Sequence, residues 1–194
     1  MEQNGTTIYE SHHKTVVFTS DIRTITIMNT GHQIDALFAE ECDSDLCDAI
    51  YHVLHEREAS MPELNFDQWP ATWVTHWSVW RHYWIWKMNG FESLWMVDLE
   101  QQLQFQRCLM EIGDRRAGEF FADSIEAAGI DRLGTEAFAF SEDIHQLATD
   151  WDKDAELPWC KVETNLAKYT RSRRMDFIPL YDELVTRLAL DKRK

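Results

Sequence analysis

The chain has 194 residues, 44% of them hydrophobic and 12% aromatic, and 34 Asp and Glu against 19 Lys and Arg give a formal net charge of −15. That length supports one well-buried core rather than two full-sized domains, and the apolar content is too high for a disordered acidic tail. The negative field repels phosphate backbones and anionic lipid headgroups while it steers basic surfaces, so direct nucleic-acid and membrane binding are disfavoured.

Cys42, Cys47, Cys108 and Cys160 form no Cys-x-x-Cys pair. They fit reduced thiols buried as small hydrophobes. No apolar run reaches the ~20 residues of a membrane span, and the polar start over residues 1–14 does not read as a signal sequence. The expectation is a cytoplasmic protein.

In chain order, residues 14–19 and 22–28 are rich in β-branched side chains and alternate through Thr24, Ile25, Thr26 and Ile27, which predicts a short hairpin turning at Ser20-Asp21. From Gln33 the period becomes helical. Ile34, Leu37 and Phe38 mark one helix, and Leu46, Ile50, Val53 and Leu54 mark a second, with a break near Asp43. Met61 to Gln68 reads as a loop, and a new helix starts at Pro70.

On that helix Trp69, Trp73, Trp77, Trp80 and Trp84 follow at steps of 4, 4, 3 and 4, which lines five indoles along one face. The stripe is expected to be core, with part of it available as an interface beside Arg81, His82 and Lys87. Asn89-Gly90 ends the helix in the manner of a left-handed cap.

Leu94 to Met110 reads as the next helix, turning Leu94, Val97, Leu103, Phe105 and Leu109 inward. Arg116 to Ala128 follows, then Ser141 to Trp151 with an acidic stretch over residues 150–156. The last helix runs from Phe177 to Leu190 on Leu180, Leu184, Leu188 and Val185. The fold class is mainly α: a single-domain helical bundle with a short N-terminal β-hairpin. It divides into a hairpin appendage over residues 1–32, an acidic helical domain over 33–160, and a basic helical extension over 161–194 packed on the same domain.

Charge falls in blocks. Residues 35–67 hold ten acids and one base, residues 131–156 eight acids and two bases, and residues 161–194 nine bases and five acids. Uniform solubility charge does not produce such polarity. The candidate partner-binding residues are therefore Asp35, Glu40, Glu41, Asp43, Asp45 and Asp48 in the first block and Asp143, Asp150, Asp152, Asp154 and Glu156 in the second. Carboxylates spaced by several ångströms along helices imitate the charge rhythm of a phosphate backbone, and arginine and lysine clusters that hold DNA bind them by the same charge-assisted contacts.

The stretch Trp84 to Trp95, with Asn89, Gly90, Phe91 and Trp95, then Leu99 to Gly113 and Ala117 to Ala128, resembles the bacterial DNA-mimic protein domain family. That family's pattern has an Asn-Gly-Gly-Phe turn with an aromatic a few residues on, a helix ending in Ile-Gly, and a helix rich in Ala. Ile112-Gly113 matches the helix end, whereas Met88 and the single Gly90 depart from the doubled glycine. The resemblance covers roughly residues 45 to 156. It implies a helical fold and, from the founding member, an acidic dimer that occupies the DNA-binding surface of a transcription regulator. Asn89, Gly90 and Phe91 are expected to be structural.

Two other readings stand beside this one. The chain fits an immunity or antitoxin protein that neutralises a cognate toxin through shape and aromatic contacts. A metal enzyme would use His52 and His55, three residues apart beside Asp48 and Glu56, or His145 of Glu142-Asp-Ile-His145, which is half of a carboxylate di-metal pattern. No phosphate-cradling glycine loop, nucleophile elbow or His-Glu-x-x-His motif occurs. The expectation is a protein without cofactor or metal that is not an enzyme and acts on a basic protein, a DNA-binding protein or a toxin.

Overall fold

The computed structural model of the chain describes residues 9–11, 14–16, 31–39, 41–60, 68–129 and 142–191. They are mainly helical. Helix α1 covers residues 31–39, followed by α2 (Asp43–Ser60), α3 (Ala71–Asn89), the single turn α4 (Glu92–Trp95), α5 (Leu99–Glu111), α6 (Arg115–Ala128), α7 (Glu142–Trp159), α8 (Val162–Ser172) and α9 (Tyr181–Asp191), with a 3₁₀ segment at Arg174–Leu180. Two three-residue strands, β1 (Tyr9–Ser11) and β2 (Lys14–Val16), pair antiparallel with Tyr9 opposite Val16. The hairpin expected over residues 14–19 and 22–28 lies, apart from residues 14–16, outside the described residues, as does the loop over residues 61–67.

Helix α3 is the axis of the molecule. Ten of its residues are buried, and it packs on α2, α4, α5 and α8 and on the 3₁₀ segment. The reason is its indoles, each of which removes on the order of 200 Å² from water when buried. Trp73 and Trp77 enter a core with Phe38, Leu46, Ile50, Phe177, Leu180 and Leu184, from α1, α2, the 3₁₀ segment and α9. Trp80 and Trp86 enter the other core, with Phe91, Trp95, Phe105, Phe121 and Trp159 from α4 to α7. The tryptophan stripe is core at Trp73, Trp77 and Trp80, as its spacing suggested, while Trp69 is half-buried against the core and Trp84 is exposed.

Polar hooks fix the contacts that apolar packing leaves free to slide. His76 lies between α2 and α8, with Nε2 3.0 Å from the Cys47 carbonyl and Nδ1 2.8 Å from the Thr170 hydroxyl. The Trp73 indole donates to the Asp176 carbonyl at 2.8 Å and the Thr72 hydroxyl to the Asp176 carboxylate at 2.6 Å, which ties the 3₁₀ segment to α3. Gly118 of α6 faces Met110 of α5: an added Cβ would lie 2.7 Å from the sulfur of this exposed side chain but 3.6 Å from the Gln106 carbonyl, so it would displace Met110 and leave the spacing of the two helices unchanged.

Several elements differ from their sequence-based outline. The helix expected over Leu94 to Met110 is broken at Met96–Asp98, because the Asp98 carboxylate accepts the Glu100 N–H at 2.9 Å and starts α5 afresh. The break turns Leu103 outward while Phe105 and Leu109 stay buried. Helix α7 does not stop at Trp151; the acidic stretch is its second half, held by buried Ala155 and Trp159, with Pro158 in its last turn. Helix α8 falls within the helical extension expected over residues 161–194, where only the helix from Phe177 was given bounds. Phe177 to Leu180 is 3₁₀ rather than α, with Pro179 inside it, and Val185 is exposed. Cys42 and Cys160 are exposed, contrary to the expectation of four buried thiols; Cys47 and Cys108 are buried, and burial pushes the Cys108 thiol up to about 11. Gly90 has φ +79° with ψ 175°, an extended positive-φ conformation rather than a left-handed helical one, and its N–H closes α3 on the Trp86 carbonyl at 2.9 Å.

Candidate partner-binding face

The basic C-terminal block folds onto the first acidic block. Arg174 pairs with Asp35, Arg171 with Asp43 at 2.5 Å, and Arg187 with Glu56 at 3.5 Å, while Arg57 of α2 reaches Glu183 of α9 at 2.5 Å. Arg171 also donates to the carbonyls of Phe38 and Glu41, each at 2.9 Å, so one guanidinium clamps the corner between α1 and α2. Glu41 is buried. Asp35, Glu41 and Asp43 are thus structural parts of the fold, Asp45 remains exposed at the start of α2, and Glu40 lies outside the described residues.

Asp48 and Asp152 have a different task. Asp48 accepts the Trp80 indole N–H at 3.3 Å and stands 3.5 Å from His52; Asp152 accepts the Trp86 indole N–H at 2.9 Å. Each acidic block therefore supplies one carboxylate to an indole of α3. A shallow pocket of about 150 Å³ opens beside Asp152, between α7 and the Asn89–Glu92 turn.

The rest of the second block faces outward. Glu142, Asp143, Asp150, Asp154 and Glu156 are exposed on α7. Spacings of seven and four place Asp143, Asp150 and Asp154 on one flank, about 10 Å and 6 Å apart along the axis. Among the described residues, Asp150 meets Lys153 at 3.3 Å and Gln146 at 3.1 Å, both of its own helix. Glu156 lies 3.4 Å from Lys87 of α3. Helix α6, joined to α7 by Phe120 against Trp151 at 4.6 Å, adds exposed Glu119, Asp123 and Glu126. These three are not among the candidates from the charge blocks. Their spacing on the outer face of an amphipathic helix was the available signal, but they lie outside the dense charge blocks.

The residues of the metal-enzyme reading are dispersed. His52 faces Asp48, His55 lies 3.3 Å from Glu58, and His145 of α7 lies 2.8 Å from Glu92 of α4. Among the described residues, no three His, Cys, Asp or Glu side chains stand together as a metal ligand set. No helix of the described residues is long and apolar enough to cross a membrane. Comparison of the chain with protein-family models, with curated protein sequences and with solved structures gave no match.

Proposed function

We propose that the chain is a protein-binding inhibitor that covers the basic, nucleic-acid-binding surface of a partner protein with the carboxylates of α6 and α7. The observation that carries this reading is the division of the acids. Asp35, Asp43 and Glu56 are paired with arginines from across the fold, whereas the outer faces of α6 and α7 expose Glu119, Asp123, Glu126, Glu142, Asp143, Asp150, Asp154 and Glu156 against Arg115, Arg116 and Lys153 as the Lys and Arg of the two helices, Arg115 pairing with Glu119 at 2.6 Å, Lys153 with Asp150 at 3.3 Å and Lys87 of α3 with Glu156 at 3.4 Å. Such a face attracts arginine and lysine clusters at long range and repels nucleic acid itself.

The test is affinity capture from the native host lysate at low and moderate salt, with an Asp150→Lys/Asp154→Lys chain as control. Recovery of a basic nucleic-acid-binding protein, lost with salt and with the control, supports the reading. A single toxin-like partner retained by both chains would replace it with the immunity reading.

A further inference from the structure

The seam between α6 and α7 is apolar and only partly covered. Phe120 of α6 meets Trp151 of α7 edge-on with ring centroids 4.6 Å apart, and Leu147 stands one turn before Trp151; all three are partly buried against the core. Phe91 backs both rings, its centroid 6.0 Å from that of Phe120 and 6.1 Å from that of Trp151, and is itself 1% exposed. With the close-packed core behind it, the seam has no room to turn its exposed edge inward.

Charged side chains frame it. Residues three and four positions apart on a helix are surface neighbours, with about 5–6 Å between Cβ atoms. At that spacing Asp123 follows Phe120, Asp143 and Asp150 flank Leu147, Asp154 follows Trp151, and Arg116, the cation among them, precedes Phe120; all five are exposed. Asp150 pairs with Lys153 in an exposed contact within α7, which a partner's cation can replace at little cost. A purely apolar occupant would desolvate these carboxylates without compensation, and a purely ionic one would leave the rings in water. An occupant that carries both kinds of side chain satisfies the seam and its frame together.

The spacing of the acids selects the conformation of that occupant. Asp143, Asp150 and Asp154 are seven and four residues apart, about 10 Å and 6 Å along α7. A second helix laid along the seam presents cations at the same intervals on one face. In an extended strand 10 Å is about three residues, and residues three apart point to opposite sides. We propose that the α6–α7 seam receives an amphipathic basic helix of the partner, its apolar stripe on Phe120, Leu147 and Trp151 and its lysines and arginines against Asp123, Asp143, Asp150 and Asp154. The proposal rests on the reading of the chain as a binder of basic proteins and names the element it binds.

The experiment titrates the full chain at low salt with two leucine–lysine peptides of the same length and composition, one with leucine at helical spacing and one in strict alternation, which suits a strand. Affinity is read by fluorescence anisotropy, and the indole N–H resonance of Trp151, assigned by its loss in Trp151→Phe, is followed by NMR. Leu147→Asn and Asp150→Lys/Asp154→Lys are titrated alongside, with melting curves to confirm folding. The seam predicts that the helical peptide binds about 10-fold tighter than the alternating one and shifts the Trp151 resonance, that Leu147→Asn removes most of that preference, and that Asp150→Lys/Asp154→Lys weakens both peptides. If Leu147→Asn does not fold, the preference and the Trp151 shift of the parent chain decide. Equal affinity for the two peptides overturns the helical seam, and so does an unmoved Trp151 resonance. If Asp150→Lys/Asp154→Lys still weakens binding in that case, the proposed function stands without it. Failure of the helical peptide to bind also overturns the seam, as does self-association that Leu147→Asn abolishes and the peptide does not disturb, which would give the seam to a second copy of the chain.

Discussion

The indole N–H of Trp86 on α3 donates to the carboxylate of Asp152 on α7 at 2.9 Å, across 66 positions of sequence. Trp86 is buried, so its N–H has no water to turn to, and the carboxylate that satisfies it is held in the fold rather than offered to a partner. Asp152→Ala should cost about 1–3 kcal/mol in urea unfolding, and Asp152→Asn, which keeps an acceptor, clearly less. Asp154→Asn, exposed on the same helix, should stay within about 0.5 kcal/mol of the parent.

Arg171 carries a comparable prediction. It pairs with Asp43 and satisfies two carbonyls at the α1–α2 corner, and removing it strands all three acceptors. Arg171→Ala should lower stability by about 1–3 kcal/mol, and Arg171→Lys should recover little of it, because an ammonium cannot reproduce the planar fork. Lys153→Ala, which removes an exposed pair within α7, should leave the urea midpoint unchanged.

Two buried histidines predict acid sensitivity. Burial lowers both His76 and His82 from 6.5 to about 4. A histidine with a depressed folded pKa contributes stability that is complete above the unfolded value near 6.5 and is lost as pH falls towards 4, since only the unfolded chain takes up the proton in that window. Each shift corresponds to on the order of 3 kcal/mol. His82→Phe preserves the stack on Phe105, 4.7 Å between centroids, and removes Nε2, which has no partner among the described residues, together with the Nδ1 contact to the Ser78 carbonyl at 2.7 Å. It should flatten the fall in stability between pH 6.5 and 4, measured by urea unfolding at a series of pH values.

Much of the helical order was legible because it follows from local periodicity: the buried Leu46, Ile50, Val53 and Leu54 of α2 recur at steps of three and four, and Pro70 and Gly90 bracket α3. What escaped lacks a strong apolar signature. Helix α8 buries Ala167, Tyr169 and Thr170 beside Val162 and Leu166, and the second half of α7 buries Ala155 while exposing Leu157. Hydropathy alone misorders such faces. The charge blocks were visible as composition, yet their fate was not. Whether Asp43 meets a partner or Arg171 depends on a contact 128 residues away, which no local pattern encodes. Asp143, Asp150, Asp154 and Glu156 of α7 were found by density, and the exposed acids of α6 were missed because three acids over eight positions look like an ordinary solvated face.

Gly90 tests the turn between α3 and α4. Its φ of +79° is disfavoured for any residue with a Cβ, while an added Cβ would meet Asp152 only at an ordinary 3.8 Å. Gly90→Ala should therefore cost about 1–3 kcal/mol through the backbone alone, read as a lowered urea midpoint with an unchanged slope.

The central claim is that the carboxylates of α6 and α7 take the place of nucleic acid on a basic partner, and competition tests it most directly. With the captured partner in hand, duplex DNA bound to it is titrated with the chain at fixed salt, and release is followed by fluorescence anisotropy. The account predicts full displacement of the DNA, weakened by Asp150→Lys/Asp154→Lys. A stable ternary complex of partner, DNA and chain would contradict it.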